Sequence, residues 1–191
     1  MKRIGIFGGS FNPVHHGHLL LARGAFEVLK LDELVFVPCH DSADGKKLLP
    51  AARRLAMLKA ALRGVKNFSV SDVDVKRGGI SRSVDTLREL AAAEGKGAKF
   101  FLLIGGDQAS QFSRWKEAEA LARLAQICVL ARSGHAPDIF IHKKYRFKTL
   151  NVPQYEISSS EIRSRLKKNL PLNWFLPSSA LSIFKRCRHI V

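Results

Sequence analysis

The sequence predicts an α/β protein whose doubly wound parallel sheet carries helices on both faces, in a single domain over residues 1–191. Three observations predict this class. Short apolar runs of strand length alternate with helical patterns along almost the whole chain. The segments suited to ligand binding fall where strands pass into helices, as they do in open parallel sheets. A chain of 191 residues with 46% hydrophobic content suits one sizeable core.

The first predicted strand, residues 3–7, ends in a turn suited to an anion. Residues 8–14 read GGSFNPV. Gly8 and Gly9 allow the main chain to approach a phosphate closely, and Ser10 adds a hydroxyl group. The helix that follows offers unpaired N–H groups and the positive end of its dipole at the same place. This turn is therefore the first candidate phosphate site.

Two histidines stand at the start of that helix. His15 and His18 lie three residues apart, so both imidazoles project from one side of a first turn that begins near His15. Two ring donors can then meet the same phosphate. A metal site or a pair of solvated side chains could have the same spacing. His16, between them, is interpreted as a surface residue. The preceding strand, glycine pair and proline favour the phosphate interpretation.

The next elements continue the alternation. Residues 34–37 are predicted to form the second strand, and residues 39–47 a polar loop at the same end of the sheet. Lys46 or Lys47 in this loop is a candidate cation for a triphosphate. Lysines in polar loops are usually only solvated, and that alternative stays open.

A second helix is marked by leucines and has basic residues among its polar positions. The leucines are Leu55, Leu58 and Leu62, and the basic residues are Arg53, Arg54 and Lys59. Residues 68–70 and 73–75 then alternate apolar with polar side chains, which predicts a half-buried strand or a pair of strands. Gly78 and Gly79 end this pattern.

The following helix is predicted to open within residues 80–87, which read ISRSVDTL. Ser81 or Ser83 can cap it by accepting a hydrogen bond from one of its first N–H groups. Arg82, between them, adds a positive charge at the same helix start. A carboxylate that meets this segment would find N–H donors, the helix dipole and a guanidinium together.

Residues 99–104 are almost continuously apolar, as in a strand covered on both faces. The strand leads to Gly105, Gly106 and Asp107, where the carboxylate can accept hydrogen bonds from ribose hydroxyls and the glycines let adenosine approach. An ordinary strand-end turn has the same pattern. Trp115 follows and, judged by its pattern alone, is a core residue.

The last third of the chain adds a helical run over residues 118–124, a fifth strand over residues 126–130 and a terminal helix over residues 180–186. Residues 139–150 are basic and aromatic, and their pattern predicts no element.

A second anion site is predicted near residue 160. Ser158 and Glu161 fit a capping box at a helix start. Ser159 and Ser160 extend the row of hydroxyl groups, and Arg163 follows on the next turn. Capping alone would explain Ser158, but three hydroxyls followed by a guanidinium are better explained by phosphate binding.

Composition limits the classes of function. The net charge of +16 favours polyanions, nucleic acid first among them, but triphosphates gain from the same field and no nucleic-acid-binding motif is present. No specific nucleic acid is therefore expected. The absence of a membrane-length apolar run and of a signal-peptide layout predicts a soluble, cytoplasmic protein with no membrane partner. Cys39, Cys128 and Cys187 lack metal-ligand spacing and are interpreted as reduced, mostly buried thiols.

The segment H-x-G-H at residues 15–18, preceded by GGSFNP, resembles the signature of the HxGH nucleotidyltransferase superfamily. The whole turn is most similar to that of its bacterial nicotinate mononucleotide adenylyltransferases. Residues 80–87, residues 157–163 and Arg132-Ser133-Gly134 also resemble segments of that family. This chain departs from the family in Asn12, where Asp is more common, in Arg82, where Tyr is usual, and in lacking Pro-Pro-His-Lys in the loop after the second strand.

The resemblance implies a Rossmann-like fold and transfer of the adenylyl group of ATP to nicotinate mononucleotide, which yields deamido-NAD and pyrophosphate. It implies that Mg²⁺ accompanies ATP, with no metal site on the protein, and that the catalytic residues are His15, His18 and Arg163. The residues implied to bind ATP are Gly8, Gly9, Ser10, Phe11, Lys46, Gly105, Asp107, Ser158, Ser159 and Ser160. Those implied to bind the mononucleotide are Ser81, Arg82, Ser83 and Trp115, whose indole would stack on the pyridine ring.

Three alternatives stay open. A pantetheine-phosphate adenylyltransferase is favoured by the three serines at residues 158–160, whereas chain length and Trp115 oppose it. Transfer to the amidated mononucleotide would use the same scaffold. A polyanion- or nucleic-acid-binding protein on this scaffold is favoured by the charge, but the intact histidine pair opposes it. The sequence leaves the oligomeric state open.

Overall fold

The computed structural model describes residues 1–130, 139–153 and 155–190, and it confirms the predicted α/β class. Its elements, in chain order, are β1 (Lys2–Gly9), α1 (His16–Val28), β2 (Glu33–Pro38), α2 (Ala51–Ala61), β3 (Phe68–Val70), α3 (Val73–Arg77), α4 (Ser83–Glu94), β4 (Ala98–Gly105), α5 (Gly106–Ala109), α6 (Ala118–Leu124), β5 (Ala125–Leu130), α7 (Ile139–Lys144), β6 (Lys148–Leu150), α8 (Ser159–Lys167) and α9 (Ser178–Lys185). Short 3₁₀ turns lie at Phe112–Arg114 and Arg188–Ile190.

The described strands form a six-stranded sheet in the order β3-β2-β1-β4-β5-β6. The pairs β1–β4, β4–β5 and β5–β6 are parallel. The order reverses between β1 and β4, which makes the sheet doubly wound. Because crossovers between parallel strands are almost always right-handed, connections on the two sides of such a reversal place helices on opposite faces. Phe7 pairs with Leu103, so β1 and β4 end at the same edge of the sheet. Ligands of doubly wound sheets bind at this kind of reversal.

The described residues group into two compact units. The first contains residues 1–8, 21–35 and the described part of 82–154, and the second contains residues 9–20, 36–81 and the described part of 155–191. The interpretation of residues 1–191 as one domain stays a prediction.

The first unit is organised around buried strands and an aromatic cluster. Every residue of β4 from Phe100 to Ile104 is buried, as predicted for a strand covered on both faces. The ring of Phe112 contacts Tyr145 and Phe147, with centroids 4.9 and 5.2 Å apart. Residues 139–150 form α7, a turn and β6, and the two aromatic side chains that belong to this cluster lie in the segment between α7 and β6.

In the second unit, α2 packs against α9 and β3 forms as predicted. Residues 73–75, predicted as a strand, lie in α3, so that prediction is wrong. The two valines alternate as in a strand, but the charged side chains pair at helical spacing. Lys76 lies 3.0 Å from Asp72, four residues earlier, and Arg77 lies 2.8 Å from Asp74, three residues earlier.

Other predictions concern the membrane and the cysteines. No helix in the described part of the chain has both the length and the apolar character needed to cross a bilayer. All three cysteines are free; Cys128 and Cys187 are buried and Cys39 is half-buried, which confirms the predicted thiols. Burial raises the pKa of Cys128 to about 12. The family-like segment Arg132-Ser133-Gly134 lies outside the described residues.

The aromatic cluster supports a prediction about stability. Phe112 is fully buried, so Phe112→Ala should lower the free energy of unfolding by about 3–5 kcal/mol, as measured by urea denaturation. Trp174 is 91% exposed, and Trp174→Ala serves as the control, with an expected change within about 0.5 kcal/mol. A similarly small change for Phe112→Ala would show that the cluster does not hold residues 139–150 in place.

Candidate functional site

The two histidines of the turn lie against each other at the start of α1. The helix begins at His16, and the ring of His15 just before it stacks on the ring of His18, with centroids 3.6 Å apart. His15 is buried and His18 half-buried. The structure thus brings together the two side chains that the sequence assigned to one phosphate.

Main-chain N–H groups define the tautomer of both rings. The N–H of His18 donates to Nδ1 of His15, and the N–H of His15 donates to Nδ1 of His18, each at 3.3 Å. A ring nitrogen that accepts a hydrogen bond carries no proton, so the proton of each neutral ring lies on Nε2. Each ring can therefore present Nε2–H as a donor to a phosphate oxygen.

Two neighbours shape the positions of these rings. A Cβ at Gly17 would lie 3.0 Å from Nδ1 of His15, so a larger residue would push the His15 ring a few tenths of an ångström away from its present position. Phe11 is 1% exposed and packs edge-on against His18, with centroids 5.1 Å apart. Because the Phe11 ring is buried, only the main chain of this predicted ATP-binding residue can meet a nucleotide, while its side chain supports His18.

The carbonyl groups of the turn are bonded to donors from other parts of the second unit. The acceptor and donor pairs are Gly9 O with the N–H of Cys39 at 3.0 Å, Ser10 O with Arg54 at 2.9 Å, Asn12 O with Arg163 at 2.7 Å, and Pro13 O with Ser159 at 2.9 Å. An anion site needs N–H groups directed at the ligand and carbonyl groups directed elsewhere. These four hydrogen bonds meet the second requirement.

Asn12 has a structural explanation for its departure from the family. It is 3% exposed, and its Oδ1 accepts a hydrogen bond from the N–H of Leu49 at 3.0 Å. A carboxylate could accept the same bond, but burying its charge would be costly without a positive partner. The neutral amide keeps the hydrogen bond without burying a charge.

The start of α8 is joined to the turn. Ser158 caps the helix by accepting a hydrogen bond from the N–H of Glu161 at 3.1 Å, as predicted. Ser159 bonds to the turn as described, and Ser160 Oγ accepts from Nη2 of Arg163 at 3.1 Å. The serine row and the arginine therefore border the same turn as the two histidines.

Arg163 brings a partly buried positive charge to this turn. Its partners are the Asn12 carbonyl and the Ser160 hydroxyl, and within the described ranges it takes part in no ion pair. Burial holds the pKa of Arg163 below its usual value, although an arginine stays protonated near neutral pH. An anionic ligand at the turn would supply the missing negative charge.

Sequence reasoning missed the role of Arg54, which was predicted at a polar position of its helix. That prediction is wrong, because Arg54 is 1% exposed. Met57 and Leu58, three and four residues later, are also buried and share its helix face, so the spacing contained the signal. The charge is tolerated there because main-chain carbonyl groups surround it, the Ser10 carbonyl included.

Lys46, the predicted loop cation, is paired within its own loop. Its Nζ lies 2.5 Å from Oδ2 of Asp44, and both side chains are exposed. The Lys46 ammonium and the Ser42 hydroxyl hold the pKa of Asp44 down at about 2. The ammonium has three donors, so Lys46 can contact a phosphate in addition to Asp44 only if the ligand approaches this exposed pair.

The remaining predicted ATP residues lie in the first unit. A Cβ at Gly105 would lie 2.6 Å from Oδ1 of Asp107, so glycine allows the exposed Asp107 carboxylate to fold back against the end of β4. A Cβ at Gly8 would meet no heavy atom of the described residues within 4 Å. A Cβ at Gly105 would displace only this exposed, flexible carboxylate, so the described residues make glycine sterically necessary at neither position.

The predicted serine cap of α4 is wrong. Arg82 occupies the capping position, with an extended main chain, and no side chain caps the helix there. Ser81 is engaged elsewhere, because its Oγ accepts a hydrogen bond from the N–H of His40 at 2.8 Å. Ser83 is the first residue of the helix. The first N–H groups of α4 are thus left without a side-chain cap.

Trp115 lies near the start of α4. Lys116 bonds to both carboxylate oxygens of Asp85, in the first turn of α4, at 3.1 Å. Trp115 is half-buried, and its ring lies 5.3 Å from that of Phe112. It is thus neither a fully buried core residue nor a solvated one, and part of its surface can meet a ligand.

The fold and the turn define the class of protein. The family model described as cytidylyltransferase-like matches residues 6–165, which include the turn, both histidines and the start of α8. Curated relatives from Methylacidiphilum infernorum and Herpetosiphon aurantiacus are 35% and 34% identical to this chain, over 96% and 95% of its length and 89% and 95% of theirs. Both carry the name "probable nicotinate-nucleotide adenylyltransferase". The chain belongs to the nicotinate-nucleotide adenylyltransferase family.

Solved structures agree on the fold. The Plasmodium falciparum nicotinic acid mononucleotide adenylyltransferase complexed with NaAD has a TM-score of 0.81 and 22% identity, covering 97% of this chain and 96% of that one. The same Plasmodium protein complexed with APC has a TM-score of 0.78 and 20% identity. At sequence identities of 22% and 20%, the similarity to these structures shows a shared fold only.

Proposed function

We propose that this protein transfers the adenylyl group of ATP to nicotinate mononucleotide, which yields deamido-NAD and pyrophosphate. The observation that carries the proposal is the turn itself, where two imidazole Nε2–H donors, the hydroxyls at the start of α8 and Arg163 meet around main chain whose carbonyl groups are already bonded. Family membership supports the choice of substrates.

The reaction needs no activated side chain, because the 5′-phosphate of the mononucleotide is already a nucleophile. One of its oxygens attacks the α-phosphorus of ATP, and the bond from that phosphorus to the departing pyrophosphate breaks in line with the attack. Catalysis is then positioning together with neutralisation of negative charge. His15 and His18 would hold the α-phosphate by Nε2–H, and Arg163 with Ser159 and Ser160 would hold the departing phosphates.

Mg²⁺ is proposed as part of the MgATP substrate. No group of three His, Cys, Asp or Glu side chains that could hold a metal ion occurs within residues 1–130, 139–153 and 155–190. The donors at the turn are N–H groups, a guanidinium and hydroxyls, which suit phosphate oxygens better than a hard cation. The ion would therefore be bound by the β- and γ-phosphate oxygens.

Substrate choice is the first test. With ATP and Mg²⁺, pyrophosphate release should be fast with nicotinate mononucleotide and much slower with phosphopantetheine, because Trp115 can stack on a pyridine ring. Equal or faster turnover of phosphopantetheine would reverse the assignment. If neither acceptor supports pyrophosphate release, a binding protein on this scaffold would be favoured.

His18 is expected to act on charge that develops during transfer. Loss of one preorganised donor of this kind lowers kcat by about 10²–10³-fold, and His18→Ala should show at least that loss with folding intact. His16→Ala, at the variable position of the motif, is the matched control and should leave kcat nearly unchanged. A tenfold loss or less in His18→Ala would make His18 a structural residue.

The preference for the acid over the amide should depend on the start of α4. Its uncapped N–H groups and the Arg82 side chain can both bind the nicotinate carboxylate, and a charge-assisted hydrogen bond contributes about 1.5–3 kcal/mol, or about 10- to 150-fold. Wild-type protein should prefer nicotinate over nicotinamide mononucleotide by at least about tenfold in kcat/KM. Arg82→Ala should narrow that ratio without abolishing it.

Two results would contradict this account of specificity. Similar kcat/KM values for the two mononucleotides in the wild type would remove the preference itself. An unchanged ratio in Arg82→Ala would assign the preference to the main chain alone.

A further inference from the structure

Arg54 takes no part in the catalytic roles proposed above, although among the described residues it is the largest of the fully buried side chains. A buried charge is tolerated only when hydrogen bonds replace its hydration. Here the partners are four main-chain oxygens and the Sγ of Cys39, which lies 3.8 Å from Nη1, and the described residues place no carboxylate in an ion pair with the guanidinium. An apolar side chain at this position would avoid burying a charge, so a stable core alone does not explain an arginine here.

All three nitrogens of the guanidinium are used. Nε donates to the carbonyl of Leu49 at 2.7 Å, Nη1 to those of Ser10 and Cys39 at 2.9 and 2.7 Å, and Nη2 to that of His40 at 2.6 Å. Cys39 and His40 follow directly after β2, and Leu49 lies just before α2. One side chain thus joins both ends of the loop over residues 39–49 to the turn.

Two further hydrogen bonds lie at the same places. The N–H of Cys39 donates to the Gly9 carbonyl, and the N–H of Leu49 donates to Oδ1 of Asn12, both at 3.0 Å. Each end of the loop is therefore bonded to the turn directly and to Arg54. Without the guanidinium, four buried or partly buried carbonyl groups would lose a donor, and the turn would lose the partner of its Ser10 carbonyl.

We propose that Arg54 is a positioning residue for ATP, which holds the turn and both ends of the 39–49 loop so that main-chain N–H groups and loop lysines meet the triphosphate. The proposal deepens the proposed function and rests on it. Arg54 is buried and does not itself touch the substrate. Its loss should therefore affect ATP more than the mononucleotide.

The test compares Arg54→Met and Arg54→Lys with Arg53→Met. Arg53 is the preceding residue of α2 and is exposed, so its replacement removes the same charge without disturbing the turn. Arg54→Met should raise the KM for ATP at least about tenfold, the ratio that corresponds to loss of one charge-assisted hydrogen bond, and should leave the KM for the mononucleotide nearly unchanged. Arg54→Lys retains the charge but cannot span four carbonyl groups, and it should be intermediate.

Rescue separates positioning from packing. Guanidinium ion at millimolar concentration, far below the molar range in which it unfolds proteins, should restore part of the ATP affinity of Arg54→Ala and should not affect Arg53→Met. A side chain that only fills space would not be replaced by a free ion. If Arg54→Met fails to fold, the guanidinium rescue experiment and the Arg54→Lys variant still test the proposal.

Amide hydrogen exchange tests the same proposal without any acceptor substrate. The Cys39 and Leu49 amides should exchange faster in Arg54→Lys than in the wild type, and binding of a non-hydrolysable ATP analogue should weaken in parallel. Wild-type exchange together with a wild-type KM for ATP in Arg54→Lys would overturn the proposal, as would equal changes of KM for both substrates in Arg54→Met. If the wild type fails to adenylate nicotinate mononucleotide, the proposed function fails, whereas exchange and analogue binding still decide the role of Arg54.

Discussion

The candidate site depends on hydrogen bonds that occupy the carbonyl groups of the turn between β1 and α1. A peptide unit has both a donor and an acceptor, and an anion site can use the donor only if the acceptor is satisfied elsewhere. Here Arg54 and Arg163 bond to the Ser10 and Asn12 carbonyls, although they lie 44 and 151 residues away along the chain. Two positive side chains thereby stabilise the turn and add to its positive potential.

The histidine pair is, in contrast, a local structure. His15 and His18 accept each other's N–H groups, and Gly17 provides the space that the His15 ring occupies. These partners lie within four residues of each other, and Phe11, which packs against His18, comes from the same turn, so the tautomers and the stacking follow from the motif once the helix begins. This explains why a short sequence pattern was sufficient to locate the two donors.

Predictions from sequence succeeded where the physical cause was local and failed where a side chain had a distant partner. Strands β1 to β5, most helices and the Ser158 cap follow from periodicity and capping chemistry. Arg54 was misjudged because a basic residue normally lies on the polar face of a helix. Ser81 was misjudged because its partner, His40, comes from the loop after β2. Short elements such as α3 and β6 lie below the length at which periodicity distinguishes a helix from a strand.

By itself, the sequence determined the α/β class, the turn with its two histidines, and the row of hydroxyls before Arg163. Only the tertiary structure decided that Arg54 is buried, that Asn12 accepts from Leu49, and that Tyr145 and Phe147 pack on Phe112. The physical reason is that the partners of the buried arginine are carbonyl groups. Every residue has a carbonyl group, so no pattern of side chains can mark which of them a buried guanidinium will meet.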